Sequence, residues 1–160
     1  MIHVQPWVVR TCALYAVVRD GRCLPDAFFD ELARDQRHHA ERLARFVDMI
    51  TKRPYIRPAL LRPERPDLGV FAMFNHTEAA YPYNPSRLLC AFVGQSNRIM
   101  VVGAGFIKTQ AEPIQMNVVA HREAMQLARI ATELSERIVC GAIDEIGPLL
   151  VPRIPDALDF

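Results

Sequence analysis

Long apolar runs, paired cysteines and an excess of one charge are all missing from this sequence of 160 residues. No stretch approaches the roughly 18 apolar residues of a membrane helix, and the start, MIHVQPW, lacks the pattern of a secretory signal. The four cysteines, at positions 12, 23, 90 and 140, do not have the spacing of a zinc site or a disulfide framework. These absences predict a cytoplasmic protein without a membrane segment.

Lysine is scarce as well. The chain has 19 basic and 18 acidic residues, and only Lys52 and Lys108 among the basic ones are lysines. A net charge of +1 gives no reason by itself to expect a nucleic-acid partner. Nine of the twelve prolines cluster at 54–66, 82–85 and 148–155, where they interrupt regular structure. The length is typical of one domain, so we expect a single domain over 1–160.

Hydrophobic periodicity predicts an α+β domain with a small, largely antiparallel sheet, two N-terminal helices and a C-terminal helix. In chain order we expect a strand at 7–18, helices at 25–35 and 37–51 (or one kinked helix over both) and a stiff proline-rich linker at 54–67. Strands at 68–76, 87–93 and 98–107, a helix at 113–140 and a proline-rich tail at 141–160 follow. A crossover through the helix pair is expected to bring the first strand beside the last one.

Three stretches of the chain carry recognisable motifs: ALYAVVRDGRCLPDAFFDEL, RLLCAFV followed by Gly94, and VVGAGFIKTQAEPIQMNVVAHREAMQLA. Together they resemble the RelE/HigB/ParE toxin superfamily, and within it the HigB-like, phage-associated branch. ALYAVVRDGRCLPDAFFDEL is similar to that branch's opening strand, turn and first helix. RLLCAFV followed by Gly94 resembles its FRVLFF…G strand. VVGAGFIKTQAEPIQMNVVAHREAMQLA is similar to its final strand ending in GF-x-K, followed by T-x-x-x-P and a long helix. The resemblance covers roughly residues 10–130 and implies a RelE-like fold.

The resemblance also implies a function. Such toxins are small microbial RNases that cut mRNA on the ribosome, usually without a metal, so no cofactor is expected, whereas the ParE members act on DNA gyrase instead. An antitoxin, often a helix-turn-helix protein, keeps these toxins silent. The expected function is therefore the toxin of a type II toxin–antitoxin system, a ribosome-dependent mRNA endonuclease. Two alternatives stay open: a catalytically degenerate relative that binds a protein partner, and a ParE-like topoisomerase inhibitor.

Metal-free RNA cleavage needs an activated 2′-OH, positive charge at the phosphate and a proton for the leaving oxygen. Lys108 stands where the branch has the lysine of GF-x-K, beside the N-terminus of the next helix, which favours an anion. Arg87 corresponds to the family's strand arginine and is a candidate phosphate clamp. A solvated strand-end charge for Lys108, and a strand-edge charge or antitoxin contact for Arg87, are the competing interpretations.

The branch's usual E-L-R motif is missing, because Ala72, Met73 and Phe74 occupy its positions. If that arginine carries transition-state charge, its loss costs about 3–4 kcal/mol. His76, two residues after Phe74 and on the same strand face, is a candidate acid or base in its place. A loop-end histidine without a role is the alternative, and whether catalysis survives the loss stays open.

Basic residues crowd the proline-rich linker and predict an RNA footprint there. Tyr55 lies among them as a possible base-stacking face, and Glu64 is the one nearby acid. Arg98, on the strand across the hairpin from the strand of Arg87, is also a candidate phosphate contact. The predicted RNA-binding set is Lys52, Arg53, Tyr55, Arg57, Arg62, Arg65 and Arg98. A solvated loop is the alternative.

The histidines and glycines do not form a metal or nucleotide motif. His38 and His39 point about 100° apart on a helix, and with His121 they lack the i, i+4 spacing of shared metal ligands, so no metal is expected. The sequence Gly103-Ala104-Gly105 does not continue as GxGxxG. It predicts instead a bend in the sheet or a close approach of another backbone.

Overall fold

A mixed, mostly antiparallel sheet lies at the centre of the computed structural model, which describes residues 1–74, 86–108 and 117–160. Its strands are β1 (Ile2–Val9), β2 (Ala13–Arg19), β3 (Arg22–Cys23), β4 (Arg62–Arg65), β5 (Val70–Met73), β6 (Ser86–Phe92) and β7 (Ile99–Ile107). They are ordered β1-β2-β7-β6-β5-β4, with β3 paired to β2. Among the described strands only the contact between β2 and β7 is parallel, and Ala13 lies opposite Ile99 in it.

Three α-helices in the described part of the chain cover the two faces of this sheet. They are α1 (Leu24–Asp35), α2 (Arg37–Thr51) and α3 (Val118–Val139), and a hairpin of β8 (Ile143–Ile146) and β9 (Leu149–Pro152) follows α3. Side chains of consecutive strand residues point to opposite faces. Leu14 and Leu88 therefore pack with α1 and α2, whereas Tyr15 and Leu89 pack with α3.

The α+β class and both N-terminal helices are confirmed, because α1 and α2 match the predicted ranges to within a residue. The crossover is confirmed as well, since it brings β2 beside β7. Residues 7–18, however, do not form one strand. β1 starts at Ile2, and the chain turns back at residues 10–12 to pair β1 with β2, with Val4 opposite Val17.

The proline-rich linker and tail contain more regular structure than predicted. Arg62–Arg65 of the linker form the edge strand β4, where Pro63 is tolerated because the outer side of an edge strand needs no N–H donor. The tail forms the hairpin β8–β9 and buries Ile143 and Leu150 under α3. The Leu150 amide donates to the Tyr15 hydroxyl at 2.8 Å, which ties the hairpin to β2.

The C-terminal helix α3 begins at Val118 in the described part of the chain. Asn117 caps α3, its side chain accepting from the Ala120 amide at 3.0 Å, and the predicted start at Pro113 lies outside the described residues. Gly103 and Gly105 of β7 lie at an irregularity in the register with β6, and a side chain, the Phe28 ring, approaches Gly105 where a backbone was one of the two expectations. No helix among the described residues is long and apolar enough to cross a bilayer.

Candidate functional site

The ends of three strands gather cations around one buried carboxylate. Glu64 of β4 is 3% exposed, and its Oε1 lies 3.3 Å from Arg87 Nε and 3.4 Å from Arg62 Nε. Lys108, directly after β7, acts electrostatically on the same carboxylate. We name this set, Arg62, Glu64, Arg87 and Lys108, the Glu64 cluster.

Strand register explains why residues distant in sequence meet here. Arg87 of β6 lies opposite Phe106 of β7, and Phe106 packs against the core under α3. Lys108 lies two residues beyond Phe106, so strand alternation directs it to the same face. Glu64 lies at a register irregularity between Pro63 and Arg65 in β4. The cluster therefore forms on the α3 face of the sheet, at the end where β6 begins and β7 ends.

Burial dominates the electrostatics of Glu64. Desolvation raises the pKa of its carboxyl, while Arg87, Lys108 and Arg62 oppose that rise in decreasing order. Three positive groups face one negative group, so the cluster keeps a positive excess when the carboxylate is ionised. Such an arrangement favours a bound anion.

The cations of the cluster differ in access to solvent. The Arg87 side chain is only 6% exposed, donates from Nη1 to the Ser86 carbonyl oxygen at 2.9 Å and lies 5.5 Å from the Phe74 ring centre. The Arg62 side chain is 46% exposed, and Lys108 is half-buried. Arg62 and Lys108 are thus the cations that a solvent-borne ligand can reach, with Arg87 beneath them.

Two buried core residues, Ala72 and Met73, and the aromatic Phe74 occupy the positions of the missing E-L-R motif. Ala72 and Met73 are fully buried on opposite faces of the sheet. Phe74 stacks on Arg87 and thereby helps to fix its guanidinium. His76, the proposed substitute acid or base, lies outside the described residues.

The predicted RNA footprint is divided between two ends of the sheet. Arg62 belongs to the Glu64 cluster, and Arg65 is bound by Asp67 at 2.7 Å and by His121 of α3. The other five residues lie near the start of β7, whereas the Glu64 cluster lies at its end. These five are Lys52, Arg53, Tyr55, Arg57 and Arg98. β7 has 9 residues and is therefore about 30 Å long at about 3.3 Å per residue. The footprint is therefore not one continuous surface around Lys108.

Most of the five have partners within the protein. Lys52 pairs with Asp48 at 2.8 Å, Arg53 Nη2 lies 3.8 Å from Met49 Sδ, and Arg98 donates to the Thr11 carbonyl oxygen at 3.1 Å. Tyr55 is exposed, and the Arg57 guanidinium lies 6.0 Å from its ring centre. This aromatic–arginine pair is a separate surface from the Glu64 cluster.

Sequence reasoning did not select Glu64. It noted this residue only as the lone acid among the linker arginines, and that isolation was the available signal. No group of three His, Cys, Asp or Glu side chains within the described ranges could hold a metal ion. His38 and His39 place their rings 3.9 Å apart, while His121 contacts Arg65.

The chain matches none of the protein-family models, curated proteins or solved structures with which it was compared. The likeness to the RelE/HigB/ParE superfamily thus rests on the motifs in the sequence. The geometry of the Glu64 cluster and those motifs are the two observations that bear on function.

Proposed function

We propose that this protein is the toxin of a toxin–antitoxin pair, a RelE-like, metal-independent endonuclease that cuts mRNA on the ribosome at the Glu64 cluster. The observation that supports this most is the convergence of Arg62, Arg87 and Lys108 on one carboxylate at one end of the sheet. Fixed cations supply the charge stabilisation that a pentavalent phosphate needs. The partners in this proposal are ribosome-bound mRNA and a cognate helix-turn-helix antitoxin.

The burial of the side chains suggests a division of roles. Lys108 and Arg62 reach solvent and would contact the phosphate oxygens, with the arginine offering two parallel N–H donors. Arg87 is held by Glu64, Ser86 and Phe74, and acts as a positioning residue beneath them. Glu64 keeps the three cations together despite their mutual repulsion.

Induced expression tests this proposal. Wild type should arrest growth, and co-expression of a neighbouring helix-turn-helix gene should relieve the arrest. Lys108→Ala should lose about a hundredfold in cleavage rate, because one transition-state donor is worth about 3 kcal/mol. Arg45→Ala, which removes an exposed cation from α2 well away from the cluster in sequence, is the matched control and should stay toxic. Normal growth and intact mRNA in cells with abundant wild-type protein would refute the proposed endonuclease activity.

The burial of Arg87 and Glu64 favours a second candidate, the catalytically degenerate module that binds a protein partner. A guanidinium paired with a buried carboxylate is committed to the fold rather than to a substrate. This candidate predicts that the helix-turn-helix partner binds wild type and Lys108→Ala with equal affinity while wild type leaves mRNA intact. Cleavage by wild type that is lost in Lys108→Ala would exclude it.

A further inference from the structure

Three apolar side chains on one face of α3 are exposed to solvent, at intervals of seven and fourteen residues, and Val119 is exposed beside the first of them. Val118, Met125 and Val139 are 69%, 47% and 87% exposed, although α3 buries its opposite face against the sheet. Together with the exposed polar residues between them they form a stripe with alternating steps of four and three residues. We name it the α3 stripe: Val118, Arg122, Met125, Arg129, Thr132, Glu136 and Val139. This is the spacing at which one helix meets another along its length.

The charges of the α3 stripe are arranged symmetrically about its middle. Arg122 and Glu136 lie seven residues before and after Arg129. Within α3, Glu133 forms ion pairs with Arg129 and with Arg137, at 3.4 Å each, and among the described residues neither Arg122 nor Glu136 takes part in an ion pair. These two side chains of opposite sign are therefore available at matching distances from the centre.

We propose that the α3 stripe binds a second copy of this chain, with the two α3 helices antiparallel about Arg129. In this arrangement Arg122 of each copy faces Glu136 of the other, which gives two ion pairs. At each end of the helix pair, Val118 of one copy faces a position one residue from Val139 of the other copy. A parallel pair would instead oppose Arg122 to Arg122 and Glu136 to Glu136, so charge selects the antiparallel arrangement.

The two Arg129 side chains approach each other at the centre of this pair. Each of them already has an ion pair with Glu133 of its own helix, which reduces the repulsion. A helix of 22 residues is about 33 Å long at about 1.5 Å per residue. One helix pair of that length lies at the small end of specific interfaces, below about 1,200 Å². We therefore expect a dimer that forms in the micromolar range, independently of whether the chain cleaves RNA.

Sedimentation equilibrium of the full chain from about 1 to 500 μM tests the proposal through charge reversal. Wild type should pass from monomer to dimer. Arg122→Glu and Glu136→Arg should each weaken the dimer about fourfold or more, because each removes two attractions and adds two repulsions between exposed charges. The double variant should return to within about threefold of wild type. Arg45→Glu, an equal charge reversal on the exposed surface of α2, is the control and should not change the constant.

Oxidative crosslinking tests the direction of the helices. Cys140 is exposed, and the antiparallel pair places it opposite residue 118 of the other copy. Val118→Cys should therefore give a dimer in which peptide mapping finds Cys140 joined to the new cysteine, since a disulfide needs Cα atoms about 4.4–6.8 Å apart. A wild-type link between two Cys140 residues would overturn the antiparallel arrangement.

Two further results would overturn the second copy as the occupant. One is a chain that stays monomeric at 500 μM. If Arg122→Glu also abolishes binding of the antitoxin to that monomer, the α3 stripe is the antitoxin's binding surface instead. The other is a dimer that neither single charge reversal weakens or that the double variant fails to restore.

Discussion

Gly105 of β7 is the position where one added methyl group should destabilise this fold most clearly. A Cβ atom there would lie 2.0 Å from Cδ2 and 2.2 Å from Cγ of Phe28. Carbon atoms in contact normally stay about 3.5–4.0 Å apart. The ring would have to retreat by about 1.5–2 Å, but it is buried between α1 and the sheet. We expect Gly105→Ala to lower the free energy of unfolding by about 2–3 kcal/mol, the upper part of the range for an overpacked core.

Gly103→Ala is the matched control in the same strand. Its Cβ would meet Cδ1 of Leu127 at 3.2 Å, and the end of a leucine side chain can shift by a few tenths of an ångström. Neither glycine has a positive φ, so backbone strain does not distinguish the two variants. We expect a loss below about 1 kcal/mol for Gly103→Ala, partly offset by the reduced entropy of the unfolded chain.

Urea unfolding followed by circular dichroism measures both effects, and Gly105→Ala should also lower Tm by about 4–12 °C. A double variant tests the stated cause. Phe28→Ala costs about 3–5 kcal/mol by itself, but with the ring gone Gly105→Ala should add almost nothing. The reasoning is refuted if Gly105→Ala unfolds within about 0.5 kcal/mol of wild type, or if its cost persists in the Phe28→Ala background.

Three further predictions follow from side-chain contacts. Arg19→Ala should cost about 1 kcal/mol in urea unfolding, because its guanidinium donates to both Glu123 oxygens at 2.8 and 3.1 Å; an unchanged midpoint would contradict this. Ellman's reagent should label exposed Cys140 in the native protein and Cys90 only after unfolding, because burial raises the Cys90 pKa; similar rates would contradict this. Burial also raises the Glu64 pKa, so this carboxyl keeps its proton to higher pH in the folded state than in the unfolded chain. The stability of wild type relative to Glu64→Gln should therefore fall as pH rises from about 4 to 6. A difference that grows with pH would contradict the direction of this pKa shift.

Local apolar spacing was enough to predict the N-terminal helices. Leu43, Phe46, Val47 and Ile50 follow helical spacing, and all four are buried in α2. The Pro54 that follows also limited where that helix could end. Such information lies within a few turns of chain and does not depend on the rest of the fold.

The candidate site depended on pairing between distant segments, which the sequence does not display. Arg57 and Arg62 are five residues apart, but Arg62 enters the edge strand β4 and meets Glu64, whereas Arg57 contacts Tyr55 in the other basic surface. The burial of Glu64 follows from β4 joining β5 and from Arg87 approaching on β6. Prolines had marked this segment as a linker, and an edge strand is the part of a sheet that tolerates them.

Primer extension on ribosome-bound mRNA after induction tests the role of the Glu64 cluster most directly. Wild type should produce new 5′ ends within coding sequences, Lys108→Ala should reduce them about a hundredfold, and Arg45→Ala should leave them unchanged. Absence of new ends with wild type, or equal numbers with Lys108→Ala, would contradict the assignment of RNA cleavage to this cluster.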